Sequence, residues 1–297
     1  MPDVAPIISD GYQLTGRTGA AVVAVLGGIS ATRDARSWWP TTVGINRPVD
    51  TREFGVLGVD WLDGGAGSDG RPERVITTHD QADSIATALD HLGIDRLHTL
   101  IGASYGGMVG LAFAQRYPDR VAQLAIISAP AQAHPMSTAL RSIQRRIVEL
   151  GIETGRLHDA LSIARGLAMA SYRSPCEFAE RFSGVPDDDG RFAVDGYLRH
   201  QGEKFARSYS PARYLALSLS TDLHRVDPTR IRTPAVFVAA RGDSIVPFDQ
   251  MADLAARWDG PNRLVETPTR TGHDAFLAEP HAVGAILHDL LTSQVLA

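Results

Sequence analysis

The stretch LIGASYGGMVGLAFA, residues 100–114, decides how this chain folds. An apolar run leads into it, glycines stand two residues either side of Ser104, and apolar residues at helical spacing follow. Gly102-Ala103-Ser104-Tyr105-Gly106 is therefore a Gly-x-Ser-x-Gly pentapeptide set between a predicted strand and a predicted helix, the context a nucleophile elbow requires. Ser104 on so sharp a turn needs small neighbours, because Cβ atoms beside it would collide. The turn would lift the hydroxyl out of the sheet and set the Tyr105 amide at the helix N-terminus, where unpaired N–H groups and the helix dipole favour an oxyanion. A tight turn with glycines kept for packing is the plainer reading of the same five residues.

Working outward, the runs at 20–26, 54–59, 97–101, 122–128 and 235–240 are short, apolar and β-rich. Segments with helical periodicity lie between several of them, at 80–92, 107–116 and 247–257. Apolar strands alternating with helices indicate a mostly parallel sheet covered on both faces. Between about Pro135 and Leu223 the strand signals vanish and four helical segments replace them, interrupted by the Asp-rich turn VPDDDG at 185–190. The expected organisation is a core of residues 1–134 and 224–297, with 135–223 as a helical lid insertion.

Composition narrows the function classes. With 297 residues, 44% hydrophobic and 21% charged, the chain has the profile of a water-soluble globular protein. No run reaches the roughly 18 apolar residues of a membrane span. A net charge of -5 with no Lys/Arg-rich tract offers nothing to a nucleic-acid backbone. Cys176 is the single cysteine, so no internal disulfide and no cysteine-based metal site can form, which fits a cytoplasmic protein. The apolar run at 20–26 starts late, is short and passes into Gly27-Gly28-Ile29 instead of a cleavage site, so a buried strand explains it better than a secretory signal.

A serine hydroxyl is a poor nucleophile until a neutral imidazole takes its proton and a carboxylate orients that imidazole. In α/β-hydrolase order the acid follows a late strand and the histidine lies near the C-terminus. Asp243, in ARGDSIVP after the run at 235–240, and His273, in TGHDAFL, occupy those places. A turn cap and an ordinary loop histidine are their plainer readings. A second oxyanion donor is expected from Leu26-Gly27-Gly28-Ile29-Ser30, with the Gly28 amide favoured and Ile29 the alternative, beside that of Tyr105.

These residues, together with Trp38-Trp39, Val43-Gly44, Val49-Asp50-Thr51, Tyr172-Arg173-Ser174, the segment YLRHQGEKF at 197–205 and GHDAFL at 272–277, give the chain from about Trp38 onward a resemblance to the homoserine O-acyltransferases of methionine biosynthesis, within the α/β-hydrolase superfamily. The resemblance implies a catalytic set of Ser104, Asp243 and His273. It also implies an amino-acid-binding arginine at Arg145, with Arg146 as its competitor, and an ammonium partner at Asp274. It implies acyl-CoA as substrate and no cofactor or metal, with acetyl-CoA preferred to succinyl-CoA, and L-homoserine as acceptor, with serine as a variant acceptor. A homodimer is expected. For a succinyl carboxylate, Arg33 is the candidate partner. The chain departs from the family where His-Ala-Leu-Thr-Gly becomes Leu26-Gly27-Gly28-Ile29-Ser30 and where Tyr105 replaces the common Met. The region before the first clear strand is shorter, and 149–156 looks trimmed. The competing class is a serine-dependent carboxylic-ester or lactone hydrolase; a non-catalytic binding protein would leave the serine, acid and histidine idle.

Overall fold

In the computed structural model, residues 7–9 and 11–292 are described; residues 1–6, 10 and 293–297, which include the outer ends of the expected core, lie outside. Side chains along the central strands alternate between two apolar layers. On β3 (Val22–Leu26), Val23 and Val25 join one layer, and Ala24 and Leu26 the other. The same alternation along β6 (Gly55–Val59), β7 (Thr99–Ala103), β8 (Leu124–Ile127) and β9 (Ala235–Ala240) makes a sheet buried on both faces. One face is covered by α2 (Thr78–Leu92), α3 (Tyr105–Arg116) and α9 (Phe248–Ala256), the other chiefly by α1 (Ala35–Trp38) and α11 (Pro280–Thr292).

The eight strands run in the order β1 (Ile7–Ser9), β2 (Tyr12–Gly16), β6, β3, β7, β8, β9, β10 (Asn262–Thr267). Pairings from β6 to β10 are parallel, and only β1 with β2 and β2 with β6 are antiparallel. A small separate pair joins β4 (Val43–Gly44) to β5 (Val49–Asp50). The mostly parallel sheet flanked by helices is the expected α/β fold. Strand β10 was not expected, since its NRLVET is half polar; as an edge strand it exposes Asn262, Arg263 and Glu266. The run expected at 97–101 is shifted by two residues, because the ladder with β8 continues to Ala103 opposite Ile127.

Between β8 and β9 the chain forms five helices: α4 (Pro135–Thr154), α5 (Leu157–Tyr172), α6 (Pro175–Arg181), α7 (Ala193–Ala206) and α8 (Pro211–Leu223). Of these, α4, α5 and α8 share a satellite core of Val148, Leu161, Ala164, Tyr214 and Leu215, with Phe205 of α7 packed against it. Three of the five starts share one physical reason: Pro135, Pro175 and Pro211 take the first helical position, and the side chains of His134, Ser174 and Ser210 cap the amides behind them. The remaining short helix, α10 (Ala275–Ala278), follows directly on His273 and Asp274.

Candidate active site

Ser104 joins β7 to α3 with φ 54° and ψ -122°, a backbone conformation L-residues rarely adopt, which costs on the order of 1–3 kcal/mol and persists only where its surroundings impose it. The imposition is steric. A Cβ at Gly102 would sit 2.5 Å from the Gly106 carbonyl oxygen, and one at Gly106 would sit 2.4 Å from that of Leu26. The Ser104 amide donates to Ile127 at 2.9 Å, and its carbonyl accepts from Gly107 and Met108, fastening the turn to both the sheet and the helix.

His273 Nε2 lies 2.8 Å from Ser104 Oγ, and His273 Nδ1 lies 2.7 Å from Asp243 Oδ2. The structure thus brings together three residues that stand far apart in sequence. Asp243 accepts from the amides of Ile245 and Val246 at 2.8 and 2.9 Å through its other oxygen, so the turn after β9 aims it. Burial of the imidazole works against its charged form, but the Asp243 charge and hydrogen bond, helped by Asp274, outweigh that and raise the pKa above its ordinary value. The other buried histidine, His224, is hydrogen-bonded to Thr78 Oγ1 at 2.8 Å; burial drives its pKa down to about 3, so it stays neutral.

The loop after β3 is held from three sides. The Gly27 carbonyl accepts from Gly106 at 2.8 Å, the Gly28 carbonyl accepts from Ala31 and from Trp61 Nε1, and the Ile29 carbonyl accepts from the Tyr209 hydroxyl at 2.7 Å. Because a trans peptide is planar, with its N–H opposed to its C=O, those bonds set the directions of the Gly28 and Ile29 amides. Gly28, Ile29 and Tyr105 all line the same cavity as Ser104 and His273. The Tyr105 ring is buried edge-on against Trp61, its hydroxyl 2.8 Å from Ser220 Oγ.

That cavity, of about 170 Å³, is roofed by α4, α5 and α8. Asp274 lines it, with Oδ2 3.4 Å from Arg173. Arg145 does not: its guanidinium is drawn to Asp222 at 2.6 Å and to Ser218 at 3.0 Å. Arg146 is exposed. Arg33 also lies off the cavity, donating to the Ser9 carbonyl and paired with Asp60 at 3.5 Å. The arginines in the wall are Arg141 and Arg165. Arg165 stacks 4.9 Å above Phe205 and 5.6 Å from the Tyr172 ring, and among the described residues no carboxylate forms a salt bridge with it. Sequence reasoning passed over it; the available signal was a lone arginine inside the otherwise apolar SIARGLAMA of α5.

The lid segment Tyr172-Arg173-Ser174 is laced to the histidine loop. His273 donates to the Tyr172 carbonyl at 2.9 Å, Ser174 to Thr271, the Ser174 hydroxyl to Arg270, and Arg173 pairs with Gly272 in a strand-like bridge. Among the described residues no three His, Cys, Asp or Glu side chains gather as metal ligands would.

A strained serine after a parallel strand, hydrogen-bonded through histidine to aspartate, defines a serine-dependent α/β-hydrolase-type site. The family described as alpha/beta hydrolase fold matches residues 21–280. A homoserine O-succinyltransferase of Xanthomonas campestris is 41% identical, over 93% of this chain and 77% of its own length. A homoserine O-acetyltransferase of Thermus thermophilus is 33% identical, over 86% of this chain and 72% of its own. Among solved structures, esterase E22 superposes with a TM-score of 0.84 at 17% identity, covering 97% of this chain and 98% of that one, a likeness of fold alone. The chain belongs to the α/β-hydrolase fold family and, within it, to the homoserine O-acyltransferases.

Proposed function

We propose that the protein moves an acyl group from acyl-CoA to the hydroxyl of L-homoserine, a step of methionine biosynthesis, by a ping-pong route through acyl-Ser104. His273 Nε2 takes the Ser104 proton as Oγ bonds to the thioester carbon. The oxyanion forms against the amides of Gly28 and Tyr105, the C–S bond breaks, and the CoA thiol leaves with the proton from His273. Homoserine then enters, His273 takes the proton of its γ-hydroxyl, and that oxygen displaces Ser104 Oγ, which recovers the proton. Asp243 orients the imidazole and stabilises its cation.

The observation that carries this reading is the wall opposite Ser104. Arg165, over the Tyr172 ring that lies 5.7 Å from that of His273, and Asp274, next to His273 in sequence, both line the cavity and so offer a guanidinium and a carboxylate to one small molecule beside Ser104. An amino acid carries the matching carboxylate and ammonium. We assign the carboxylate to Arg165, since Arg145 is spent on Asp222 outside the wall. The helices at 135–223 act as a lid that keeps water, the competing acceptor, from the acyl-enzyme. Acyl-CoA is a substrate in this scheme and no cofactor enters it. A cytoplasmic location follows from the substrate, and no helix of the described residues is long and apolar enough to cross a membrane. The exposed apolar residues Met136, Ile143 and Leu150, spaced by seven along α4, support pairing of two copies.

Release of free thiol from acyl-CoA tests the proposal. With purified protein, release should be slow alone and rise at least about tenfold with homoserine. Equal rates with and without homoserine would establish the ester-hydrolase reading, which the fold of esterase E22 shares.

A further inference from the structure

Two successive glycines, Gly27 and Gly28, follow β3, and a backbone without Cβ atoms selects no conformation by itself. What fixes this loop is the set of donors its carbonyls meet. The Gly27 carbonyl is held by the Gly106 amide at the start of α3, and the Gly28 carbonyl by Trp61 Nε1 at 3.0 Å and the Ala31 amide at 2.9 Å. These anchors belong to the core. The next carbonyl, that of Ile29, is taken by the Tyr209 hydroxyl at 2.7 Å, and Tyr209 lies 180 residues further on, in the turn between α7 and α8.

The same stretch reaches the loop a second time. Arg213, early in α8, donates from Nη1 to the Trp61 carbonyl at 3.1 Å, and Trp61 is the residue whose indole holds Gly28. The Tyr209 ring is set by its neighbours: it stacks on Phe205 at 4.3 Å, meets Tyr214 edge-on at 6.4 Å and lies 5.7 Å from the Arg213 guanidinium. Burial pushes its pKa up to about 12, so the hydroxyl keeps its proton to donate. Ile29 is thereby pinned on both sides, through the peptide before it by Trp61 and through the peptide after it by Tyr209. On the opposite edges of these planar peptides, the amides of Gly28, Ile29 and Ser30 donate to no acceptor among the described residues, and all three residues line the cavity with Ser104. A row of unpaired amides beside a nucleophile receives negative oxygen, and it does so best when fixed beforehand.

We infer that Tyr209 is a positioning residue for the oxyanion loop: its hydroxyl, brought by the helices between β8 and β9, holds the Ile29 carbonyl and so keeps the loop amides aimed at the carbonyl oxygen under attack by Ser104. The inference rests on the acyl-serine reading above. Tyr209 is not in the cavity wall, so its influence passes through the backbone. The same tetrahedral anion arises when the acyl group arrives on Ser104 and when it leaves, so loosening the loop should slow both half-reactions by one common factor. Binding of CoA and of homoserine should stay as it was, because the hydroxyl lies outside the wall.

Tyr209→Phe keeps the ring and removes the hydroxyl. Formation of acyl-Ser104 from acetyl-CoA or succinyl-CoA, whichever the native protein uses faster, and its loss to homoserine are followed by quenched-flow intact mass on the full chain. Affinities for CoA and for a trifluoromethyl ketone analogue of acetyl-CoA are measured beside them. That ketone mimics the intermediate: Ser104 Oγ bonds to its carbonyl carbon, the proton passes to His273, and the ketone oxygen becomes an anion facing the loop. The variant should lose about 5- to 20-fold in both rates and in ketone affinity, with CoA affinity and the KM for homoserine within about twofold of native and one ketone still bound per chain. Unchanged rates, a loss confined to the KM for homoserine, slower rates with ketone affinity intact, or a smaller bound fraction at unchanged affinity overturn the inference and leave the acyl-serine reading standing. A native protein that forms neither an acyl adduct nor a ketone adduct on Ser104 refutes that reading and this inference with it.

Discussion

His273 is where the residue-scale account is most exposed to test. Burial alone would lower its pKa, yet the Asp243 carboxylate 2.7 Å away, its hydrogen bond and the charge of Asp274 together raise it. Only the neutral ring can take the Ser104 proton, so activity should fall as pH drops through a value above the ordinary 6.5. Asp243→Asn removes the main raising influences. Its acid limb in kcat/KM should move down in pH while the rate drops by about 10⁴-fold, as loss of tautomer control does elsewhere. Initial rates across roughly pH 5–9 check both effects. A native limb at or below the ordinary histidine value, or a limb unmoved in the variant, contradicts the assignment of Asp243.

At the scale of elements, the clasp between the Tyr172-Arg173-Ser174 segment and the histidine loop joins the lid to the relay. Gly272 adopts φ +81°, and a Cβ there would lie 3.0 Å from the Tyr172 carbonyl oxygen and 3.1 Å from the Ser174 amide. Gly272→Ala should therefore cost about 1–3 kcal/mol of stability and lower turnover at the same time, because the hydrogen bond from the His273 amide belongs to the same clasp. Thermal melting and kcat measured on one preparation decide it; a variant with both unchanged shows that the clasp does not position His273. Sequence alone reached the elements that bring the relay together, and the reason is local. Ser104 and Asp243 each follow a patterned run whose end places them, whereas His273 was located by its place near the C-terminus, in TGHDAFL. The cavity wall was harder to read. Arg141 and Arg145 lie four residues apart on α4, and only the packing of α4 against α8 decides which of them Asp222 and Ser218 draw away from the cavity. Strand β10 escaped notice for a related reason: as an edge strand it needs no continuous apolar run.

Across the whole molecule, a sheet buried on both faces carries Ser104 at the end of β7, and the helices between β8 and β9 bring Arg141, Arg165 and Tyr172 to the cavity beside it. Esterase E22 shares the fold, so fold alone does not separate ester hydrolysis from acyl transfer, and the residues of the site must decide between them. Here the wall offers guanidiniums and a carboxylate, which hydrolysis of a plain ester does not need. The central claim is that the acyl group rests on Ser104 and leaves it for an amino-acid hydroxyl. Intact-mass spectrometry of protein quenched after mixing with acetyl-CoA or with succinyl-CoA tests that most directly. The account predicts a single acyl adduct on the peptide holding Ser104, absent from Ser104→Ala, which disappears on adding homoserine as the O-acylhomoserine forms in equal amount. An adduct on another residue, or one that homoserine leaves in place, would contradict it.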